Sequence, residues 1–202
     1  ILVVQFPYAA NPWLYKNIAY DTQKAFAPVL LAGRSPMLLV THAQGPYRSA
    51  AELLAAARIK PNALTYGSSG AGSSNHLAMA LFETATATQM RQIPYKGSTP
   101  MLTDLAGGQF DVALDLLPHA MPFMQSGRVR PLAIAAPKRS PLLPDVPTAA
   151  EAGIPGYEVS SWHGFVVPSG TPPSIVDKPN SDLNRMPLED CPLYTSDAAD
   201  DT

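Results

Sequence analysis

Short runs of β-branched and aromatic residues alternate along this 202-residue chain with segments whose apolar residues recur at helical spacing. Ser or Pro lies near the start of each helical segment, as helix capping prefers. This alternation predicts an α/β fold with a mostly parallel sheet. The strand-like runs are 1–6, 37–42, 63–68, 90–95, 110–117, 129–136 and 163–168, and the helical segments are 49–59, 73–85, 98–108 and 118–127.

Two segments interrupt the alternation and predict crossings between two lobes. The first is 27–36, and the second is the proline-rich stretch 136–162. A domain inserted into another through two linkers forms a hinge, and a ligand cleft is then expected between the lobes. The expected divisions are 1–34 as part of lobe 1, 35–137 as the ligand-binding lobe 2, 138–180 as the return crossing with part of lobe 1, and 181–202 as an atypical tail.

The distribution of charge favours a small anionic ligand over a nucleic acid. The net charge of −2 conceals a positive first part, because residues 1–176 hold 12 of the 14 basic residues and nine of the 16 acidic ones. These Lys and Arg residues do not form the cluster that a nucleic-acid-binding face requires. We therefore expect no nucleic-acid partner.

Cysteine content and hydropathy exclude other classes of protein. The single cysteine, Cys191, forms neither an internal disulfide nor a cysteine-based zinc site. No run of about 18 apolar residues is present that would span a membrane. Residues 1–12 lack the basic segment and the cleavage site of a signal peptide, so we expect the sequence to begin inside a strand.

The stretch GSSGAGSS, residues 67–74, joins an apolar strand to a helix and predicts an anion-binding turn. Backbone N–H groups at a helix start lack intrahelical partners and lie at the positive end of the helix dipole. Asn75 replaces the third glycine of a dinucleotide fingerprint, Ala71 replaces the last glycine of a nucleophile elbow, and a Walker loop would need Gly-Lys-Ser/Thr. A plain capped turn is the alternative interpretation.

A second turn and one acidic residue complete the candidate site. The turn at 95–98 predicts another helix start at the same edge of the sheet, and Lys96 either adds positive charge there or is a solvated surface lysine. Asp115 ends an apolar run, where it either caps the helix beginning near Pro118 or accepts hydrogen bonds from a ligand or a ligand-bound water. The histidines have no metal-binding spacing and no evident Ser or Cys partner, which indicates core or surface positions for His42, His76, His119 and His163.

Four blocks of the sequence resemble one family. They are PYKGSTPMLTDLAGGQFDVALDLL, LPDVPTAAEAGIPGYE, NPWLYKNIAYDTQKAFAPV and YGSSGAGSSNHLAMALF. These blocks are similar to the tripartite tricarboxylate transporter substrate-binding proteins, also called the Bug family of periplasmic solute receptors, over about residues 1–180. The resemblance implies a type II periplasmic-binding-protein-like α/β fold of two lobes with a hinge and an interlobe ligand cleft. It also implies a receptor that closes on a small di- or tricarboxylate and delivers it to membrane permease subunits.

The resemblance further implies which residues meet the ligand. In this family, backbone N–H groups, Ser and Thr hydroxyls and ordered waters hold the ligand carboxylates. The implied protein is a periplasmic monomer that does not itself span the membrane and needs no catalytic residue, metal or cofactor. The positions carried over are Tyr8 and Ala9 in a first-lobe loop, and Ser69, Gly70, Gly72, Ser73, Ser74, Tyr95, Lys96, Gly97, Ser98 and Asp115 in the second lobe.

The sequence departs from the family pattern at both ends. An export signal and a Pro-Phe-Pro-Ala-Gly-Gly-type loop are missing, which predicts an N-terminally truncated, incomplete first lobe. After Lys178 the apolar periodicity fades and the chain turns acidic, which predicts a disordered or foreign tail from about Met186.

The alternative to a receptor is a small-molecule enzyme for acyl or phosphoryl transfer, built on the loop at 67–74. Such an enzyme requires a base near a nucleophilic serine. The sequence spacing offers no such base.

Overall fold

A computed structural model of the chain describes residues 1–185. Its strands are β1 (Leu2–Gln5), β2 (Phe26–His42), β3 (Thr65–Ser68), β4 (Arg91–Pro94), β5 (Val112–Leu116), β6 (Val129–Ile134) and β7 (Ser160–Pro168). Its helices are α1 (Phe6–Leu14), α2 (Ala50–Ile59), α3 (Ser74–Thr86), α4 (Ser98–Ala106), α5 (Leu117–Gln125) and α6 (Pro173–Asn184). The tail that we expected from about Met186 lies outside the described residues.

By its contacts the chain divides into two compact units. Unit 1 consists of residues 1–35 and 161–185, and unit 2 is Pro36–Ser160. The segment 138–160, which we expected in the return crossing, belongs to unit 2, because Ile154 and Tyr157 are buried in the core of that unit. None of the helices in the described residues is long and apolar enough to cross a membrane.

The sheet of unit 2 is an open α/β sheet in the order β6-β2-β5-β3-β4. Strand β3 is parallel to both β4 and β5, as we predicted from the alternation of strands and helices. Strand β2 corrects the prediction of a mostly parallel sheet, because it runs antiparallel to both of its neighbours, β5 and β6. This strand enters unit 2 from unit 1 and not from a crossover helix, so the alternation does not fix its direction.

Helices cover both faces of this sheet. Successive residues of β2 point to opposite sides: Met37 and Leu39 join the cluster with α2 and α3, whereas Leu38 and Val40 join the cluster with α4 and α5. A strand buried on both faces needs a continuous apolar run, which is what residues 37–40 provide. Gly67 in β3 allows close packing, because a Cβ atom there would lie 2.5 Å from Cζ of Phe110.

In unit 1, β1 is antiparallel to β7, and β7 lies beside β2. Other features of this unit were missed by the sequence analysis. The segment carrying Tyr8 and Ala9 is helix α1 and not a loop, because Pro7 suits the first turn of a helix and alanines favour its continuation. The chain passes from unit 1 to unit 2 inside the expected crossing 27–36, but this segment is strand and not an irregular linker, and its Pro28 and Gly33 are tolerated within β2.

Candidate functional site

The candidate site in unit 2 lies at the carboxyl ends of three neighbouring strands, β3, β4 and β5. Because β3 is parallel to β4 and β5, the loops after these strands share one edge of the sheet. The N–H of Tyr95 donates to the carbonyl of Ser68 at 2.8 Å, and Ser98 Oγ donates to Asp115 Oδ1 at 3.1 Å. The structure therefore brings together the predicted site residues of all three loops.

The first loop ends in a capped start of α3. Ser73 is the N-cap: its Oγ accepts from the N–H of His76 at 3.3 Å and donates to the carbonyl of Gly70 at 2.7 Å. The N–H of Gly72 donates to His76 Nδ1 at 3.0 Å. Within residues 1–185, the N–H groups of Ser74 and Asn75 have no hydrogen-bond acceptor. These two groups are the open donors of the predicted anion-binding turn.

Two polar side chains that the sequence analysis did not select support this loop. Asn75 is buried, and its Nδ2 donates to the carbonyl of Leu114 in β5 at 2.6 Å. Its Oδ1 accepts from Ser69 Oγ at 2.5 Å. Gln92 in β4 donates to Ser68 Oγ at 2.7 Å. The bonds of Asn75 to Leu114 and of Gln92 to Ser68 join residues distant in sequence, so no local pattern indicates them.

In the second loop, no side chain of the described residues caps the start of α4. Its N-cap is Gly97, which has φ 122° and ψ 171°, a conformation that is essentially restricted to glycine. Lys96 is exposed. Burial, together with a hydrogen bond to Asp104, raises the pKa of Tyr95 to about 12. The Tyr95 hydroxyl interacts with Asp104 and its N–H is bonded to Ser68, so this loop offers the uncapped N–H groups at the start of α4.

Asp115, near the end of β5, connects the second loop to the start of α5. It is 1% exposed, and its Oδ1 accepts from the N–H of Leu116 at 2.8 Å as well as from Ser98. Its Oδ2 is buried and has no hydrogen-bond partner in the described part of the chain. Of the two roles we predicted, capping is wrong, because the N-cap of α5 is Leu116 and no side chain caps that helix.

His119 is the functional candidate that sequence reasoning missed. We expected it to be a core or surface residue with no evident Ser or Cys partner; it lies at the surface, and its Nδ1 is 3.2 Å from Asp115 Oδ1. The hydrogen bond to Asp115 raises the pKa of His119, although burial of the ring lowers it in part. An Asp four residues before a His, across a strand-to-helix junction, was the available signal.

Tyr8 and Ala9, the remaining predicted site residues, belong to unit 1. They line a cavity of about 700 Å³ together with Trp13, Tyr20 and Phe26. The Tyr8 hydroxyl donates to the carbonyl of Thr22, and its ring packs edge-on against Phe26 at a centroid distance of 5.9 Å. In residues 1–185, no group of three or more His, Cys, Asp or Glu residues is placed to hold a metal ion.

An open α/β sheet with helix starts at the carboxyl ends of its strands, together with its similarity to solved periplasmic binding proteins, gives the class as a periplasmic-binding-protein-like fold. The family model described as tripartite tricarboxylate transporter family receptor matches residues 1–194. The chain belongs to this family, which confirms the family resemblance of the sequence. It spans about half the length of the curated relatives it matches, 55% for the first two.

Three solved structures are similar to this chain. "R. palustris Rpa4515 with adipate" is 43% identical with a TM-score of 0.79, over 84% of this chain and 56% of that one. "MatC (Rpa3494) from Rhodopseudomonas palustris with bound malate" is 33% identical with a TM-score of 0.84, over 95% and 65%. The periplasmic binding protein BugD is 32% identical with a TM-score of 0.82, over 90% and 60%. These matches confirm the predicted fold class.

Proposed function

We propose that this protein is a periplasmic solute receptor, acting as a monomer, that binds a small organic carboxylate and delivers it to a tripartite tricarboxylate-type membrane transporter. The family to which the chain belongs is one of receptors, which supports the proposal. The ligand class that we propose is a di- or tricarboxylate or a related acid. Adipate and malate, present in two similar structures, are both dicarboxylates and support this class.

The observation that carries the proposal is the pair of adjacent helix starts with open backbone donors. The N–H groups of Ser74 and Asn75 have no acceptor within residues 1–185, and no side chain caps α4 after Gly97. Charge-assisted hydrogen bonds from such groups contribute roughly 1.5–3 kcal/mol each. Four or five of them would give micromolar affinity, about −8 kcal/mol, after the cost of ordering.

The hydroxyl groups of the first loop support a receptor over an enzyme. Ser69 Oγ is bonded to Asn75 Oδ1, and Ser73 Oγ donates to the carbonyl of Gly70. His76 Nδ1 accepts from the N–H of Gly72, so it is not a base for either serine. A nucleophilic serine requires a base within hydrogen-bond distance. We therefore propose binding without turnover, and no metal or cofactor.

A thermal-shift screen tests this function. We expect adipate, malate, succinate or citrate to raise the melting temperature, and the neutral amide adipamide to leave it unchanged. At a hundredfold excess over Kd the stabilisation is about 2.7 kcal/mol. Proton NMR of the acid after incubation checks for turnover. The proposal fails if no organic acid shifts the melting temperature, or if the protein consumes the acid that it binds.

A further inference from the structure

We propose that His119 is a ligand-contacting side chain of this site and that its Nε2–H binds a carboxylate oxygen of the ligand. The inference rests on the proposed function and adds to it one side chain that supplies positive charge. It assigns to the site a preference for fully ionised carboxylates and a link between ligand binding and uptake of a proton.

The geometry places His119 beside the start of α4. One atom, Asp115 Oδ1, lies 3.1 Å from Ser98 Oγ and 3.2 Å from His119 Nδ1. His119 and Ser98, the first residue of α4, therefore share one oxygen of Asp115, and among the described residues no side chain caps the backbone donors of that helix. The His119 side chain is 49% exposed, whereas that of Asp115 is 1% exposed. The histidine is thus the accessible member of a pair whose acidic member is buried.

The partner of Nδ1 determines what the other ring nitrogen offers. A carboxylate only accepts hydrogen bonds, so the contact with Asp115 requires a proton on Nδ1 of His119. In the neutral ring Nε2 then carries a lone pair, which repels a carboxylate oxygen. In the protonated ring Nε2–H is a charged donor, which attracts one. The ring therefore favours a carboxylate ligand only after it has taken up a proton.

Other charged groups on the elements packed against α5 have their own partners. Asp104 of α4 is close enough to Tyr95 to raise the pKa of that residue, Arg128 lies 5.2 Å from the ring centroid of Phe123, and Arg130 of β6 donates to the carbonyl of Tyr47. Within residues 1–185, Asp115 is the charged group in contact with His119. The charge of His119 is therefore set by Asp115 and by the ligand.

The sign of the pH effect follows from this arrangement. Asp115 already raises the pKa of His119, and a bound carboxylate adds a second negative charge that raises it further. Binding is then tightest below the pKa of the free protein and weakens as the pH rises through it. Between this pKa and the higher pKa of the complex, ligand binding is accompanied by uptake of up to one proton.

Isothermal titration calorimetry on the full chain with adipate and with malate tests the inference. Between about pH 6 and 9 a carboxylic acid is ionised, so the titration of the ligand does not contribute. We expect the Kd to rise about tenfold over this range, the effect of one charge-assisted hydrogen bond. Repeating the titration in buffers of different ionisation enthalpy measures the proton uptake.

Two variants separate His119 from other histidines. His119→Gln should bind at pH 6 about tenfold more weakly than the wild type, and its Kd should not change with pH. His42→Gln is the matched control, because the His42 ring lies against Gly108 beyond the opposite end of α4. We expect this control to keep the affinity and the pH dependence of the wild type.

Each contrary result has one meaning. If the acids bind but His119→Gln retains the pH dependence, or if the wild type shows none, the role of His119 is wrong and the receptor function stands. If the wild type binds neither acid by calorimetry nor any organic acid by thermal shift, both proposals fail. Nitrogen-detected NMR of the wild type provides a test that needs no variant: a neutral His119 with its proton on Nε2 overturns the inference.

Discussion

Gly97 combines a structural requirement with a place in the candidate site. Its φ of 122° and ψ of 171° lie in a region where any other residue costs about 1–3 kcal/mol. No atom lies within 4 Å of a Cβ added at this residue, so the cost of Gly97→Ala arises from the backbone and not from a clash. We expect urea denaturation to show this loss of stability, and thermal shift to show weaker binding of the acid.

Gly127→Ala is the matched control for this variant. Gly127 follows α5, has a φ of 67° and also has no atom within 4 Å of an added Cβ. We expect it to lose stability by about 1–2 kcal/mol, as a left-handed residue does, and to keep its affinity. Equal loss of affinity in both variants would mean that general destabilisation, and not the start of α4, controls binding.

The contact between Asp115 and His119 gives a prediction that needs no ligand. Asp115→Asn removes the charge that raises the pKa of His119, so we expect that pKa to fall toward the ordinary value of 6.5. NMR titration of the ring protons measures it. A pKa raised by folding stabilises the folded state fully below 6.5, and this contribution disappears as the pH rises through the folded pKa. An unchanged pKa in the variant would show that Asp115 is not the cause.

Most strands, and the helices of unit 2, were predictable from local pattern. Strands β3 to β6 and helices α2 to α5 lie within a few residues of the predicted segments, because continuous apolar runs alternate there with helical spacing. The missed elements carry proline: Pro7 and Pro12 in α1, and Pro28 in β2. A local analysis assigns proline and glycine to turns. In the folded chain, contacts with neighbouring elements keep these residues inside helices and strands.

The part of the candidate site that could be predicted from the sequence is the part made of backbone groups at helix starts. The small residues at 69–74 and 97–98 indicate helix starts because glycine and serine have distinct roles there. The contacts of Asn75 with Leu114 and of Ser98 with Asp115 join residues 39 and 17 positions apart. Such contacts depend on the order of the strands, which the alternation of elements leaves open. The assignment of the predicted residues as ligand contacts stays a prediction.

The start of α3 should matter more for binding than the charge of Lys96. Leucine in Gly72→Leu is strained at a φ of 75°, so we expect it to displace the turn and remove several backbone donors together. Lys96 is exposed, and an exposed charge contributes roughly 0–1 kcal/mol. We expect calorimetry to show a greater loss of affinity for Gly72→Leu than for Lys96→Ala, with circular dichroism confirming that both variants fold. A greater loss in Lys96→Ala would show that side-chain charge dominates.

The buried apolar side chains of the chain are distributed unequally between the two units. Among the described residues, those outside Pro36–Ser160 are only Val29, Val166 and Val167. Unit 1 instead exposes large apolar residues such as Val3, Trp13 and Leu31, and within residues 1–185 β1 pairs only with β7. Burial of apolar surface is the main favourable term in folding. Unit 1 therefore has less to stabilise it than unit 2.

Hydrogen exchange should reveal this difference as two levels of protection. Segments with few buried apolar contacts open at low free energy, whereas core strands exchange only when the unit unfolds. We expect slow exchange in 37–40 and 112–116 of unit 2, and exchange at least tenfold faster throughout β1, α1 and α6 of unit 1. Mass spectrometry of peptides from the exchanged protein measures both units in one sample.

Because β2 runs through both units, it provides an internal comparison: residues 28–33 should exchange faster than residues 37–40 of the same strand. Uniform protection along β2 would mean that the two units unfold together and that the uneven core does not determine local stability.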